Sequence, residues 1–176
     1  MSEQPLHRRG VSVNKMAFAW LLLSLIIVVL DLWTKQIATD SLTLYRPVEV
    51  TSWLNMTLAH NYGAAFSFLS DAGGWQRWLF TGLASVVTLV LIVWLFRLPS
   101  REKWTAIALS LVIGGAVGNL VDRIINGYVV DFIDVYYRES HWPAFNLADS
   151  AITGGVILLL IDGLLISMKA KKDQDS

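Results

Sequence analysis

The chain has 176 residues, 55% of them hydrophobic and 16% charged, with a formal net charge of zero and a mean hydropathy of +0.52. That balance is too apolar for an ordinary soluble domain and lacks the basic surface of a nucleic-acid binder. No cysteine is present, which excludes disulfides, thiolate catalysis and cysteine-based metal sites. The eight tryptophans suit a membrane protein, where indole rings settle at the headgroup level.

A helix crosses the hydrocarbon core with about 20 mostly apolar residues. The first such run extends from Met16 to Ala38. Its start, Lys15 followed by apolar residues to Leu30, resembles a cleavable signal peptide. The run continues into Asp31-Leu-Trp-Thr-Lys35 with no small-x-small cleavage site, so an uncleaved helix is expected. Asp31 and Lys35 stand one turn apart, acid before base, the order that favours an i,i+4 pair. Such a pair is either a structural bridge with Lys35 snorkelling outward, or a device that orients an active site.

The segment 39–77 is not a plain loop. Leu54, Met56 and Leu58 alternate with Asn55, Thr57 and Ala59, which is strand periodicity, and Val48 and Val50 begin a shorter alternation. A small β-element on the membrane surface is expected. In Asn61-Tyr-Gly-Ala-Ala-Phe-Ser67, Gly63 and two alanines suggest a close backbone approach, although turn chemistry alone accounts for Asn61 and Gly63. Asp71-Ala-Gly-Gly-Trp75 reads as a turn into the second span, Trp78 to Phe96.

The third span, Trp104 to Val121, ends in Gly114-Gly-Ala-Val-Gly118-Asn-Leu-Val-Asp-Arg123, whose small residues let a neighbouring backbone come close. Asn119 would be an unsatisfied amide in lipid and must face protein or a cavity. Arg123 at the interface could contact a lipid phosphate or fix a carboxylate by a bidentate pair. Tyr128 to Tyr137 is aromatic and β-branched, and periodicity leaves it as either a strand or an interfacial helix. Phe145-Asn-Leu-Ala-Asp149 enters the fourth span, Ala151 to Met168. Either Asn146 or Asp149 could cap that helix. Asp162 lies deep in the inner half, where a polar partner on another helix is the default expectation.

None of the four runs has a polar stripe wide enough for a water-facing surface. Arg8, Arg9 and Lys15 precede the first span, Arg97, Arg101 and Lys103 link the second to the third, and Lys169, Lys171 and Lys172 follow the fourth. Four alternating spans put all three clusters on one side, which the positive-inside rule makes cytoplasmic. Both termini are then inside, and segments 39–77 and 122–150 face outward. The expected fold is an all-α membrane protein of four transmembrane helices, with a small extracytoplasmic β-element and an outer interfacial segment.

Four aspartates, Asp122, Asp131, Asp134 and Asp149, crowd the junction of the last two spans. Carboxylates at membrane depth are costly and mark functional sites by default. Two of them in a poorly hydrated pocket could share a proton and activate water.

Taken together, Asp31 with Lys35, Asn61 to Ser67, Gly118-Asn-Leu-Val-Asp-Arg123, Val130-Asp-Phe132 and Phe145-Asn-Leu-Ala-Asp149 resemble the bacterial lipoprotein signal peptidases, signal peptidase II. Five blocks in order on a four-span frame are highly specific, and they cover nearly the whole chain as one integral membrane peptidase domain, 1–176. The resemblance implies an aspartic endopeptidase with Asp131 and Asp149 as the catalytic pair, where spacing alone leaves Asp122 open. It implies that Asp31, Asn61, Gly63, Asn119, Arg123 and Asn146 bind or position substrate, with Lys35 and Asp122 in support. It further implies a prolipoprotein substrate cut before a diacylglyceryl-modified cysteine, inhibition by globomycin, and no metal or other cofactor. The expected setting is the bacterial inner membrane, among its lipids, as a monomer with the site near the periplasmic face.

Two other chemistries fit parts of the pattern. A serine–lysine peptidase would use Lys35 as base and Ser67 as nucleophile, but Asp31 one turn away would hold Lys35 charged. A proton or ion transporter would use the intramembrane acids, yet these cluster at one face and no inverted repeat is visible. A purely structural scaffold leaves the asparagines and Arg123 unexplained.

Overall fold

The structure, a computed structural model, describes residues 16–63 and 75–174. Arg8, Arg9 and Lys15, the second half of the Asn61–Ser67 motif, and the turn residues preceding Trp75 lie outside the described residues.

Four long helices form: α1 Ala17–Ser41, α2 Trp75–Arg97, α3 Lys103–Ile125 and α4 Leu147–Gln174. Each holds a window long and apolar enough to cross a membrane. They extend one to several residues beyond the hydrophobic runs, because polar residues such as Asp122, Arg123 and Asp149 join the terminal turns. The apolar side chains of α1, α2 and α4 stay largely exposed, as lipid-facing residues must. α3 is the central helix, with 61% of its most apolar window buried against 11–17% in the others.

Small residues let the other helices close on α3. A Cβ at Gly115 would overlap the backbone carbonyl of Ala148 on α4, and one at Gly118 would lie 2.5 Å from the Asp31 carboxylate on α1. Near the cytoplasm-predicted end, Leu95, Leu98, Ala106, Leu109 and Ile113 form a core with Ala17. Polar cross-links join the apolar packing. Ser24 donates to the Ser110 carbonyl at 2.9 Å, and Thr105 donates to Asp162 at 2.5 Å. Asp162 thus has the interhelical partner that its position demands.

The close approaches carry a prediction. Gly115→Ala is expected to destabilise the protein by about 1–3 kcal/mol, because the obstacle is backbone that cannot rotate away. Gly154→Ala, where nothing lies within 4 Å of the added carbon, is expected to be close to neutral. Thermal unfolding of the two variants in one detergent checks the contrast.

At the other end of the bundle lies a four-stranded antiparallel sheet of β1 Val48–Thr51, β2 Leu54–Asn61, β3 Val129–Tyr137 and β4 Ser140–His141, in that order. The expected β-element is therefore present, and Tyr128–Tyr137 resolves as strand. The expected alternation in β2 needs correction. Its buried residues are Asn55 and Leu58, of opposite parity, because the register shifts between Met56 and Ala59. An extra residue at such a bulge resets which face the following side chains occupy. Asn55 turns inward because its amide donates to Asp134, directly opposite on β3, at 3.0 Å.

Candidate active site

The site grows from the start of α4. Asn146 accepts the amide of Asp149 at 2.9 Å through its side-chain oxygen, and Asp149 accepts the amide of Asn146 at 3.3 Å in return. This is a reciprocal capping box, which satisfies helix donors that have no partner within the helix. Asp31 adds a third cap from α1, accepting the Ala148 amide at 2.8 Å. Both candidates for the cap therefore serve. Asp149 spends one oxygen on capping and turns the other to Asn119, whose amide donates to it at 2.8 Å.

Asn146 is fully buried and acts as the hub. Its amide nitrogen lies 2.7 Å from Asp131, 3.2 Å from the Asn119 side-chain oxygen and 3.2 Å from the Val130 carbonyl. Asp131 reaches this point from β3, and its other oxygen accepts from Asn61 on β2 at 3.0 Å. Asn61 also accepts the Gly63 amide at 2.9 Å. One asparagine side chain thus bridges Asp131 to the capping turn that holds Asp149.

A charged layer lies behind this hub. Lys35, 3% exposed, stands 2.7 Å from Asp31 and 3.0 Å from Asp122, and donates to Asn119 at 2.9 Å. Its three donors are matched by three acceptors. Asp122 also accepts the Val130 amide at 3.1 Å and the Asn126 side chain at 3.2 Å. It ties the end of α3 to the start of β3, so its oxygens are occupied by structure. Lys35 is committed to three acceptors within the bundle, a structural arrangement and not that of a free base for a serine–lysine pair; Ser67 lies outside the described residues.

Arg123 departs from the bidentate expectation. Its Nη1 donates to the Asn119 carbonyl at 3.3 Å, and its charge interacts with Asp149, Asp131 and Asp122 without a direct ion pair to them. Asp134 stands apart from the hub, between Asn55 and His141, whose Nδ1 lies 2.8 and 3.0 Å from its two oxygens. This network braces the sheet, and sequence reading missed both Asn55 and His141. Arg77 was missed too: it donates to the carbonyls of Arg123 and Ile124, at 2.7 Å each. A lone arginine at the entry to an apolar span was the only sign of it.

Asp131 is 2% exposed, and its carboxyl is pushed up to about 7. Burial is the main cause and the charge of Asp149 the second, opposed by the amides of Asn61 and Asn146 and by Lys35. A carboxyl at that value retains a proton close to neutrality, and a proton-bearing carboxyl beside a second one is the arrangement needed to deliver a proton and remove one at the same centre. Among the described residues no group of acidic or histidine side chains is arranged to hold a metal ion.

Fold and site together define a multi-pass membrane protein in which a buried carboxyl, Asp131, interacts with a half-buried one, Asp149, beside a surface sheet, an arrangement that suits a membrane-bound hydrolase of the aspartic class. The sequence profile of the family described as signal peptidase (SPase) II matches residues 23–165. A lipoprotein signal peptidase of Acinetobacter baumannii is 56% identical over 157 residues, 89% of each chain. One of Vibrio cholerae is 48% identical over 169 residues, 95% of this chain and 96% of the relative. Two solved structures of a bacterial membrane enzyme, obtained by the in meso method at 1.9 and 2.3 Å resolution, are 31% identical to it. They superpose with TM-scores of 0.75 and 0.77, over 85% and 91% of this chain and 95% of each of theirs. The chain belongs to the signal peptidase II family, aspartic peptidases that remove signal peptides from prolipoproteins.

Proposed function

We propose that Asp131 and Asp149 are the catalytic dyad of this peptidase, and that it cleaves diacylglyceryl-modified prolipoproteins before the lipidated cysteine with water as nucleophile. The observation that carries the reading is the Asn146 bridge, which fastens the carboxyl of Asp131 to the turn that caps α4 with Asp149. Asp131 holds the shared proton. Asp149, at the positive end of α4 and beside the Asn119 amide, is the carboxylate.

Asp149 takes a proton from water as the oxygen attacks the scissile carbonyl, and Asp131 donates its proton to the carbonyl oxygen. The tetrahedral diol then collapses. The peptide C–N bond breaks, Asp149 passes its proton to the leaving amine, and Asp131 recovers its own from the diol hydroxyl. The signal peptide leaves as a carboxylic acid and the lipidated chain as an amine, with no acyl-enzyme and no metal in the cycle. Arg123 makes one side-chain hydrogen bond among the described residues and serves to hold substrate carbonyls; Asn61, Gly63, Asn119 and Asn146 place the dyad and the opened strand of substrate. Asp31, Lys35 and Asp122 hold these residues from behind.

The setting follows from charge. Arg97, Arg101 and Lys103 lie where α2 passes to α3, and Lys169, Lys171 and Lys172 close α4, all at the end opposite the sheet. The positive-inside rule then places both termini in the cytoplasm and the site at the periplasmic face of the inner membrane. The substrate's acyl chains remain among the membrane lipids, and a single protomer suffices.

The test is a gel-shift assay with purified protein, a diacylglyceryl-modified prolipoprotein and its unmodified precursor. Cleavage of the lipidated form alone, blocked by globomycin, is expected; equal cleavage of both forms would overturn the substrate assignment. The pH dependence has a defined sign. Activity is expected to fall above pH about 7, as Asp131 loses its proton. Stability has its own window: the raised carboxyl contributes most below its unfolded value of 3.8, and the contribution is lost as pH rises through about 7. A rate still rising to pH 9 would contradict a proton held on Asp131.

A further inference from the structure

We infer that Arg77 is a positioning residue for the peptidase reaction, acting through Arg123. The last carbonyls of a helix have no intrahelical partners, and at a membrane surface they need donors from elsewhere. In α3 the Asp122 carbonyl accepts the Asn126 amide at 2.7 Å, while the next two are taken from α2. Arg77 places Nε 2.7 Å from the Arg123 carbonyl and Nη2 2.7 Å from the Ile124 carbonyl, a planar fork on two successive peptide groups. The guanidinium also lies 5.2 Å from the centre of the Trp78 ring, which fixes it from its own helix.

The fork meets a backbone shaped to admit it. Gly127, just past the helix end, has φ of +84°, and a Cβ there would stand 3.2 Å from Nη1 of Arg77. A side chain at this position would be strained in the backbone and would crowd the guanidinium.

The consequence for the reaction lies in how little else holds Arg123. Among the described residues its side chain makes one hydrogen bond, at 3.3 Å, to the Asn119 carbonyl of its own helix. The direction of its guanidinium toward Asp149 and Asp131 therefore depends on where the final turn of α3 sits, and Arg77 grips that turn at the carbonyl of Arg123 itself. Lysine cannot replace the fork, since one ammonium on a flexible stem does not span two carbonyls in a fixed plane. The inference rests on the proposed role of Arg123 in holding substrate.

The test uses the full chain and compares Arg77→Gln, Arg77→Lys, Arg123→Lys and the double variant Arg77→Gln/Arg123→Lys, with kcat and KM measured on the lipidated prolipoprotein. A fall in kcat of about tenfold is expected for Arg77→Gln and a smaller fall for Arg77→Lys, with KM changed less than about twofold. The double variant should be no slower than Arg123→Lys alone. Wild-type kcat in Arg77→Gln, or multiplicative losses in the double variant, would overturn the inference. Amide hydrogen exchange supplies a readout independent of turnover: faster exchange confined to the 119–127 region in Arg77→Lys is expected, and a rise of equal size in all four helices would assign Arg77 a merely structural role. Full activity of Asp131→Asn would instead sink the dyad and leave this comparison standing.

Discussion

Asp131→Asn and Asp149→Asn are each expected to lower cleavage by about 10,000-fold or more while the protein remains folded. Neither replacement amide can exchange protons with water or a carbonyl near neutral pH, so the loss falls on kcat. The structural cost is modest and can be placed. Asp131 accepts Asn61 through one oxygen and Asn146 through the other, and an asparagine keeps only one acceptor. One buried amide is then left facing another, at about 1–3 kcal/mol, partly offset by removal of a buried acid. In Asp149→Asn the single remaining oxygen likewise must choose between the Asn119 side chain and the Asn146 amide. Both variants should unfold cooperatively at a slightly lower temperature and still bind globomycin at least weakly. Turnover near the wild-type rate in either would remove the dyad.

Lys35→Met is expected to produce the largest loss of stability, about 3–5 kcal/mol, although the proposed mechanism gives Lys35 no step. Removing the ammonium leaves Asp31 and Asp122 as uncompensated carboxylates in a buried layer, and takes a donor from Asn119. The damage should spread to the site, because Asp31 caps α4 at Ala148 and Asp122 holds the first residues of β3. Neutralising one acid in the same chain, as Lys35→Met/Asp31→Asn, should recover part of the midpoint of thermal unfolding. A single Lys35→Met variant with an unchanged midpoint would show that the ion layer contributes little.

The four spans were legible because a bilayer demands long uninterrupted apolar runs, and the Asp31–Lys35 bridge because it is local to one helical turn. The helix ends were less so: Asn146 and Asp149 compete for one cap in the sequence, whereas the fold uses them reciprocally. The inward turn of Asn55 was hidden because a register shift breaks the period on which strand reading depends. Asp162 had a predictable need but an unpredictable partner, since Thr105 lies 57 residues away. The hub has the same character. Lys35 meets Asn119 across 84 residues and Asn61 meets Asp131 across 70, so only the closed bundle brings them together. The choice of Asp131 and Asp149 over Asp122 came from family resemblance alone. The proposal gives Asp122 a structural role, since it is ion-paired to Lys35 and holds Val130 and Asn126. Arg77 gave the least warning, because its partners are backbone carbonyls that no side-chain pattern reveals.

The most direct test of the account is a rapid-quench experiment on a diacylglyceryl-modified prolipoprotein, run with the wild-type protein, Asp131→Asn and Asp149→Asn and read by intact mass. The account predicts that the wild type releases the signal peptide and a chain beginning at the lipidated cysteine, that the enzyme's own mass never changes, and that both variants leave the substrate whole. An acyl adduct on the enzyme, or cleavage at the wild-type rate by either variant, would contradict it.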